Sequence, residues 1–202
     1  MSLTESIFAN MNVARPRVLA EVARRLRFSF HEHNVDRQLV FEWFNQFVLF
    51  QEERGGTVRS IMCGDYLNAR VRVFDFLPMV RGCWQTVVAF ELSESRLPAF
   101  ALWPRGARHE PRKWFGIDNV QVDLSDRPAI AAHYELRGSN ASCLRRLLPP
   151  QAIEHFGNTP GWSIEGRRQW LIVHRQGRRC KPKQLRAFLR EAWESYRVFM
   201  VK

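Results

Sequence analysis

The sequence predicts an α+β fold: an antiparallel sheet with N-terminal helices and a long amphipathic C-terminal helix packed on it. Three observations carry this. Residues Asn68 to Leu92 hold two β-rich runs, RVRVFDF and WQTVVAFEL, joined by the turn-like LPMVRG. WSIEG and QWLIVH, separated by Arg167 and Arg168, form a second hairpin pattern. Leu185, Phe188, Leu189, Ala192, Trp193, Tyr196, Phe199 and Met200 then recur at helical spacing behind Pro182, which suits the first position of a helix.

Taken in order, Asn12 is a cap for a first helix over Ala14 to Arg27 with Pro16 in its first turn. Its apolar face is Val18, Leu19, Val22, Ala23 and Leu26, and Arg17, Arg24 and Arg25 lie opposite. FSFHEH alternates and reads as a short strand that puts His31 and His33 on one side. A second helix is expected over Arg37 to Asn45, followed by a strand-like FVLF. TVRSIMCG fits either a strand or a helical turn.

In the first central run Val71 and Val73 face one side and Arg70, Arg72, Phe74 and Phe76 the other. The second run is likewise apolar on both faces near its middle. Burial on both faces places this pair centrally in the sheet. PAFALW, bounded by Pro98 and Pro104, reads as a strand whose ends or edge position tolerate the missing amide donors. Residues Arg105 to Arg127 have no sustained period and read as a surface excursion carrying Trp114 and Phe115, which returns at HYELRG with Tyr134 and Leu136 inward. Asn140 caps SCLRRLL, and QAIEHF follows the Pro149-Pro150 break. The expected organisation is one domain over residues 1–202, with 1–56 an N-terminal helical segment and 57–202 the sheet and C-terminal helix.

The composition, 46% hydrophobic and 12% aromatic with 25% charged, is that of a globular chain and excludes a disordered one. No apolar run reaches the roughly 20 residues that span a bilayer, and no basic and apolar leader opens the chain, so a cytoplasmic location is the expectation. The cysteines Cys63, Cys83, Cys143 and Cys180 have no metal-ligand spacing and read as reduced thiols, although Cys63 and Cys83 flank the first central strand. His31 and His33 would need a third ligand that the sequence does not nominate, so no metal and no cofactor is expected.

No glycine-rich phosphate loop, nucleophile elbow or zinc-protease motif occurs, and no catalytic residue is assigned. Asp75, between two phenylalanines, is the one acid expected in a low-dielectric setting, as a pocket acid or, more commonly, as the partner of Arg70, Arg72 or Arg81. The net charge of +11 is concentrated at the C-terminus. From Arg167 to Lys202 eleven Lys/Arg face two acids, Glu191 and Glu194, a balance of +9. This favours an anionic partner: nucleic acid, lipid headgroups or an acidic protein. Arg167, Arg168, Arg175, Arg178, Arg179, Lys181 and Lys183 are the candidate anion- or nucleic-acid-binding residues, with Trp170 or Trp114 as stacking rings.

The ordered set VRVFDF, QTVVAFEL, LPAFALWP, ELRG, GWSIEG and QWLIVHRQGRRCKPKQLRAFL resembles an uncharacterised bacterial domain family, over roughly Val58 to Trp193. The resemblance implies a shared fold and brings no catalytic residue with it. Some members of that family carry amino-terminal membrane helices, whose length no stretch here attains. The sequence therefore supports a non-catalytic binding or interaction module with a basic C-terminal surface. The alternatives are a nucleic-acid-binding protein, or a ligand-binding protein or enzyme with a pocket between sheet and C-terminal helix.

Overall fold

A helix ends where its last carbonyls find other donors, and the first helix does so at Leu26. In the computed structural model, which describes residues 3–33, 46–52, 56–80, 82–92, 97–106 and 120–200, helix α1 spans Leu3–Leu26. Arg27 turns left-handed (φ 60°), the Arg27 amide donates to Arg24, and the Phe28 amide donates to Ala23. This pair of bonds closes the helix C-terminus. The helix starts well before the expected Ala14, so Asn12 is not a cap and Pro16 lies inside it. Leu19 and Ala23 are buried as expected, but Val18 is 48% exposed.

The strands are β1 (Ser29–His33), β2 (Gly56–Tyr66), β3 (Ala69–Pro78), β4 (Gln85–Glu91), β5 (Leu97–Pro104), β6 (Val120–Val122), β7 (Tyr134–Gly138), β8 (Ser163–Arg168) and β9 (Trp170–His174). Among the described residues they form one sheet in the order β1-β2-β3-β4-β9-β8-β5-β7-β6, with every pairing antiparallel. The fold class is α+β. The two-faced strands β3, β4, β9 and β8 lie inside the sheet, and the exposed β1 lies at an edge. TVRSIMCG is resolved as a strand, with a register shift between Arg59 and Met62 and Ser60 at φ 54°. β5 lies between β8 and β7, so its prolines mark strand ends and not a sheet edge. Gly166 is required where it is, because the Phe100 ring of β5 occupies the space a Cβ would take.

The main core lies on one face. Val71, Val73, Val88, Phe90, Leu171 and Val173 pack there with Leu19 and Ala23 of α1 and with the C-terminal helices. After a 3-10 turn at Pro182–Gln184, α6 (Leu185–Arg197) lays Leu185, Phe188, Leu189 and Ala192 on this face. Tyr196 stacks on Phe90 (4.5 Å), and Phe188 meets Trp162 at a tilt (5.0 Å). Full burial of each such side chain stabilises the fold by roughly 1.5–3 kcal/mol. The short helices α3 (Pro128–Ala131), α4 (Ala141–Leu147) and α5 (Pro150–Asn158) close the β6-β7 end, and the Asn140 side chain accepts from the Cys143 amide (2.9 Å) as the sequence predicts.

The opposite face carries Phe74, Phe76, Val87, Ala89, Trp170 and Ile172, covered by Phe47, Leu49 and Phe50. These covering residues belong to FVLF, which is not a strand: Phe47 leads into a helix (α2, Val48–Glu52). The reason is Glu165. This buried residue of β8 accepts the Val48 and Leu49 amides at 2.6 and 3.0 Å, so a carboxylate from a distant strand caps a helix start. The expected helix over Arg37 to Asn45 and the loop rings Trp114 and Phe115 lie outside the described residues. Replacing Glu165 with Ala leaves two amides unsatisfied in a buried setting. Urea unfolding should show a loss of about 2–4 kcal/mol, and Glu165→Gln, which keeps an acceptor, a smaller one.

Candidate functional site

Parity along β3 decides where Asp75 points. It shares a face with Val71 and Val73, whereas Arg70 and Arg72 point the other way and approach Glu91 at 3.9 and 4.0 Å. The expected pairing with Arg70 or Arg72 is therefore corrected by strand geometry, and Arg81 lies outside the described residues. Arg15 of α1 instead grips both oxygens of Asp75 (Nε to Oδ2 2.7 Å, Nη2 to Oδ1 2.9 Å). Arg179 donates to Oδ2 (3.0 Å) and the Thr86 hydroxyl to Oδ1 (2.9 Å). With two guanidiniums and a hydroxyl on it, a side chain only 2% exposed has no free face for proton transfer. Asp75 is a structural anchor.

Thr86 extends the anchor to the basic turn. Its hydroxyl accepts from the Cys180 amide (2.9 Å), its own amide donates to the Arg178 carbonyl (3.1 Å), and the Gly177 amide donates to the Gln85 side chain (3.1 Å). The turn from Arg175 to Cys180 is thereby fastened to the start of β4. Two of its arginines lie on indole rings: Arg179 over Trp84 at 4.5 Å and Arg175 over Trp162 at 4.4 Å. Arg175 also reaches Glu191 (3.3 Å), and burial lowers the Arg179 guanidinium pKa against the opposing pull of Asp75. Arg178, Lys181 and Lys183 are exposed. Together the turn and α6 outline an open groove of about 360 Å³, with Arg175, Arg178 and Arg179 on its rim, Cys180 and Phe188 in its lining, and Glu191 beside them.

Arg167 and Arg168 do not join this group. They lie at the other end of β9, whose five residues separate the two clusters by roughly 16–17 Å. Arg167 donates to the Gln46 carbonyl (3.1 Å) and burial lowers its pKa, while Arg168 makes the hairpin turn at φ 55°. Trp170, a candidate stacking ring, is buried under the Arg72 guanidinium (4.6 Å) and offers no face to a base. Its parity puts it on the covered side of the sheet.

The remaining reactive groups do not converge on one site among the described residues. Burial pushes the Cys180 thiol up to about 11, which removes its thiolate at neutral pH. Cys63 pairs with Arg72 across the ladder, whereas Cys83 precedes the residue paired with Phe76. Cys83 lies two residues before that partner, Gln85, so the two cysteines are roughly 20 Å apart along the strand direction, beyond disulfide reach. His31 and His33 are exposed on β1. A second groove, of about 380 Å³, is lined by Arg105, Asp123, Tyr134 and Glu135 among others, and neither groove is lined by Asp75 or a histidine. Arg15, Thr86, Trp84 and Glu165 carry roles that motif reading did not assign. Arg15 had a signal: it stands four residues before Leu19 and eight before Ala23, on the buried face.

His155 joins α5 to α6, with Nε2 3.0 Å from the Ser195 hydroxyl, which donates to the Glu191 carbonyl (3.2 Å). Burial lowers the imidazole pKa, Glu194 raises it and Arg197 lowers it. A histidine depressed in the folded state contributes stability that is complete above the unfolded pKa of about 6.5 and drains as pH falls through the folded value. Compared with His155→Gln, the native chain should lose stability between about pH 7 and about pH 5 in parallel thermal melts. Asp75→Asn should lower unfolding stability by about 3–5 kcal/mol, since it leaves two arginines facing each other across a half-buried site. Urea denaturation of the variant measures it, with exposed Lys183→Ala unchanged.

No family model and no curated protein matches the chain. Among solved structures it is similar to the crystal structure of the mycobacterial trehalose monomycolate transport factor A, TtfA, with TM-score 0.70 and 13% identity, covering 91% of this chain and 93% of that one. A likeness at that identity shows a shared fold.

Proposed function

We propose that the chain is a non-catalytic interaction module, folding as one domain over residues 1–202, that binds an anionic partner through the basic end of its sheet. The observation that carries this reading is the division of labour among its charges. Asp75, Glu165, Arg15 and Arg179 are held in structural bonds, while Arg178, Lys181 and Lys183 stand exposed on a turn fastened to β4. Exposed cations carried on a fastened turn raise the local concentration of anions and steer their approach. Nucleic acid is the weaker candidate for that anion, because Trp170 is buried. No helix among the described residues is long and apolar enough to cross a membrane, and the reading places the chain in the cytoplasm, where Cys63, Cys83, Cys143 and Cys180 remain thiols. TtfA is described as a transport factor for trehalose monomycolate. From that likeness the reading takes the fold and leaves the ligand behind.

Retention on heparin and on immobilised poly-glutamate tests it. The native chain should be retained at low salt and released steeply as salt rises. Reversing Arg178, Lys181 and Lys183 to Glu should weaken retention by roughly tenfold or more. Reversing Arg70, Arg146 and Arg168, which changes net charge equally, should have a much smaller effect. Equal losses in the two triple variants would overturn the assignment of the site.

A further inference from the structure

We propose, building on the anionic-partner reading above, that the partner is an anionic bilayer surface and that the β3-β4 hairpin tip enters its interface. Met79 and Val80 are 72% and 63% exposed, adjacent in sequence, at the apex of the hairpin. Among the described residues the other exposed large apolar side chains, Val18, Leu67 and Val120, stand singly in separate parts of the fold. An isolated exposed apolar side chain is ordinary, but two together on a projecting turn beside fixed cations are not.

The described residues at the base of the tip are held in place. The Gly82 amide donates to the Pro78 carbonyl (3.2 Å), Gly82 takes the left-handed conformation (φ 64°), and Pro78 beneath them is buried. Behind the apex comes Trp84, half-buried, with the Arg179 guanidinium over its ring and that of Arg59 6.0 Å from the ring centroid. Beside that ring the turn of Arg178 is bonded to Thr86 and Gln85, so the exposed cations flank the same end of the sheet. From the apex inward the order is aliphatic, aromatic, cationic. A bilayer leaflet offers the complementary sequence of hydrocarbon, interface and phosphate. Two side chains on a turn are too small for the core of a stable protein interface, which takes about 800 Å² from each partner. They suffice as an interfacial anchor when electrostatic attraction supplies the rest.

Co-sedimentation of the full chain with vesicles of phosphatidylcholine, with and without phosphatidylglycerol, tests the proposal. Sedimentation is expected with the anionic vesicles alone and should fall with salt. The double variant Met79→Ser/Val80→Ser should lose roughly tenfold or more of its vesicle binding and keep its retention on heparin. Its circular dichroism should match the native chain, because both positions are exposed. Reversal of Arg178, Lys181 and Lys183 should lose both activities. Native retention on heparin with no binding to anionic vesicles sinks the bilayer proposal and leaves an acidic protein or a nucleic acid as the partner. Undiminished vesicle binding by the serine variant sinks it too, whereas failure of the native chain on both polyanions overturns the underlying anionic-partner reading.

Discussion

The carboxylate of Asp75 is the point through which the basic half of the molecule is assembled. It draws a guanidinium from α1, sixty residues away in sequence, and another from the turn before α6, 104 residues away. The same group orients Thr86, whose hydroxyl holds the Cys180 amide. The β3-β4 hairpin and two segments distant from it in sequence are thereby brought into one arrangement. Hydrophobic burial alone would allow α1 and the turn some freedom to slide over the sheet. Directional charge-assisted bonds remove that freedom.

A second buried carboxylate does the corresponding work on the other face. Glu165 holds the start of α2, and α2 lays Phe47, Leu49 and Phe50 over Phe74 and Phe76. Phe50 sits edge-on to Phe76 at 4.9 Å. Each face of the central strands is thus closed by an element that an acid from the sheet, or from the strand beside it, positions. Both acids are spent in doing so.

Local pattern revealed a large part of this. The two central hairpins, the two-faced burial of β3 and β4, the Asn140 cap and the stripe of α6 follow from alternation, helical spacing and capping chemistry, which are written within a few residues. What was not legible depends on contacts across the chain. FVLF has the composition of a strand, and only Glu165, more than a hundred residues later, makes it helical. Alternation along β3 sets Arg70 and Arg72 on the face opposite Asp75, but nothing local says that Arg15 and Arg179 reach that face from 60 and 104 residues away. Treating the arginines from Arg167 to Lys183 as one group failed for a related reason: β9 runs between them and carries its two ends apart.

The ionic anchor also separates two kinds of basic residue. Arg15 and Arg179 share one carboxylate and Arg175 engages Glu191, and these contacts are partly shielded from water and salt. Exposed lysines and arginines on the turn can be exchanged or screened, but the half-buried bonds stay as long as the fold does. The backbone of the turn therefore keeps its place at the end of the sheet whatever charges its surface carries.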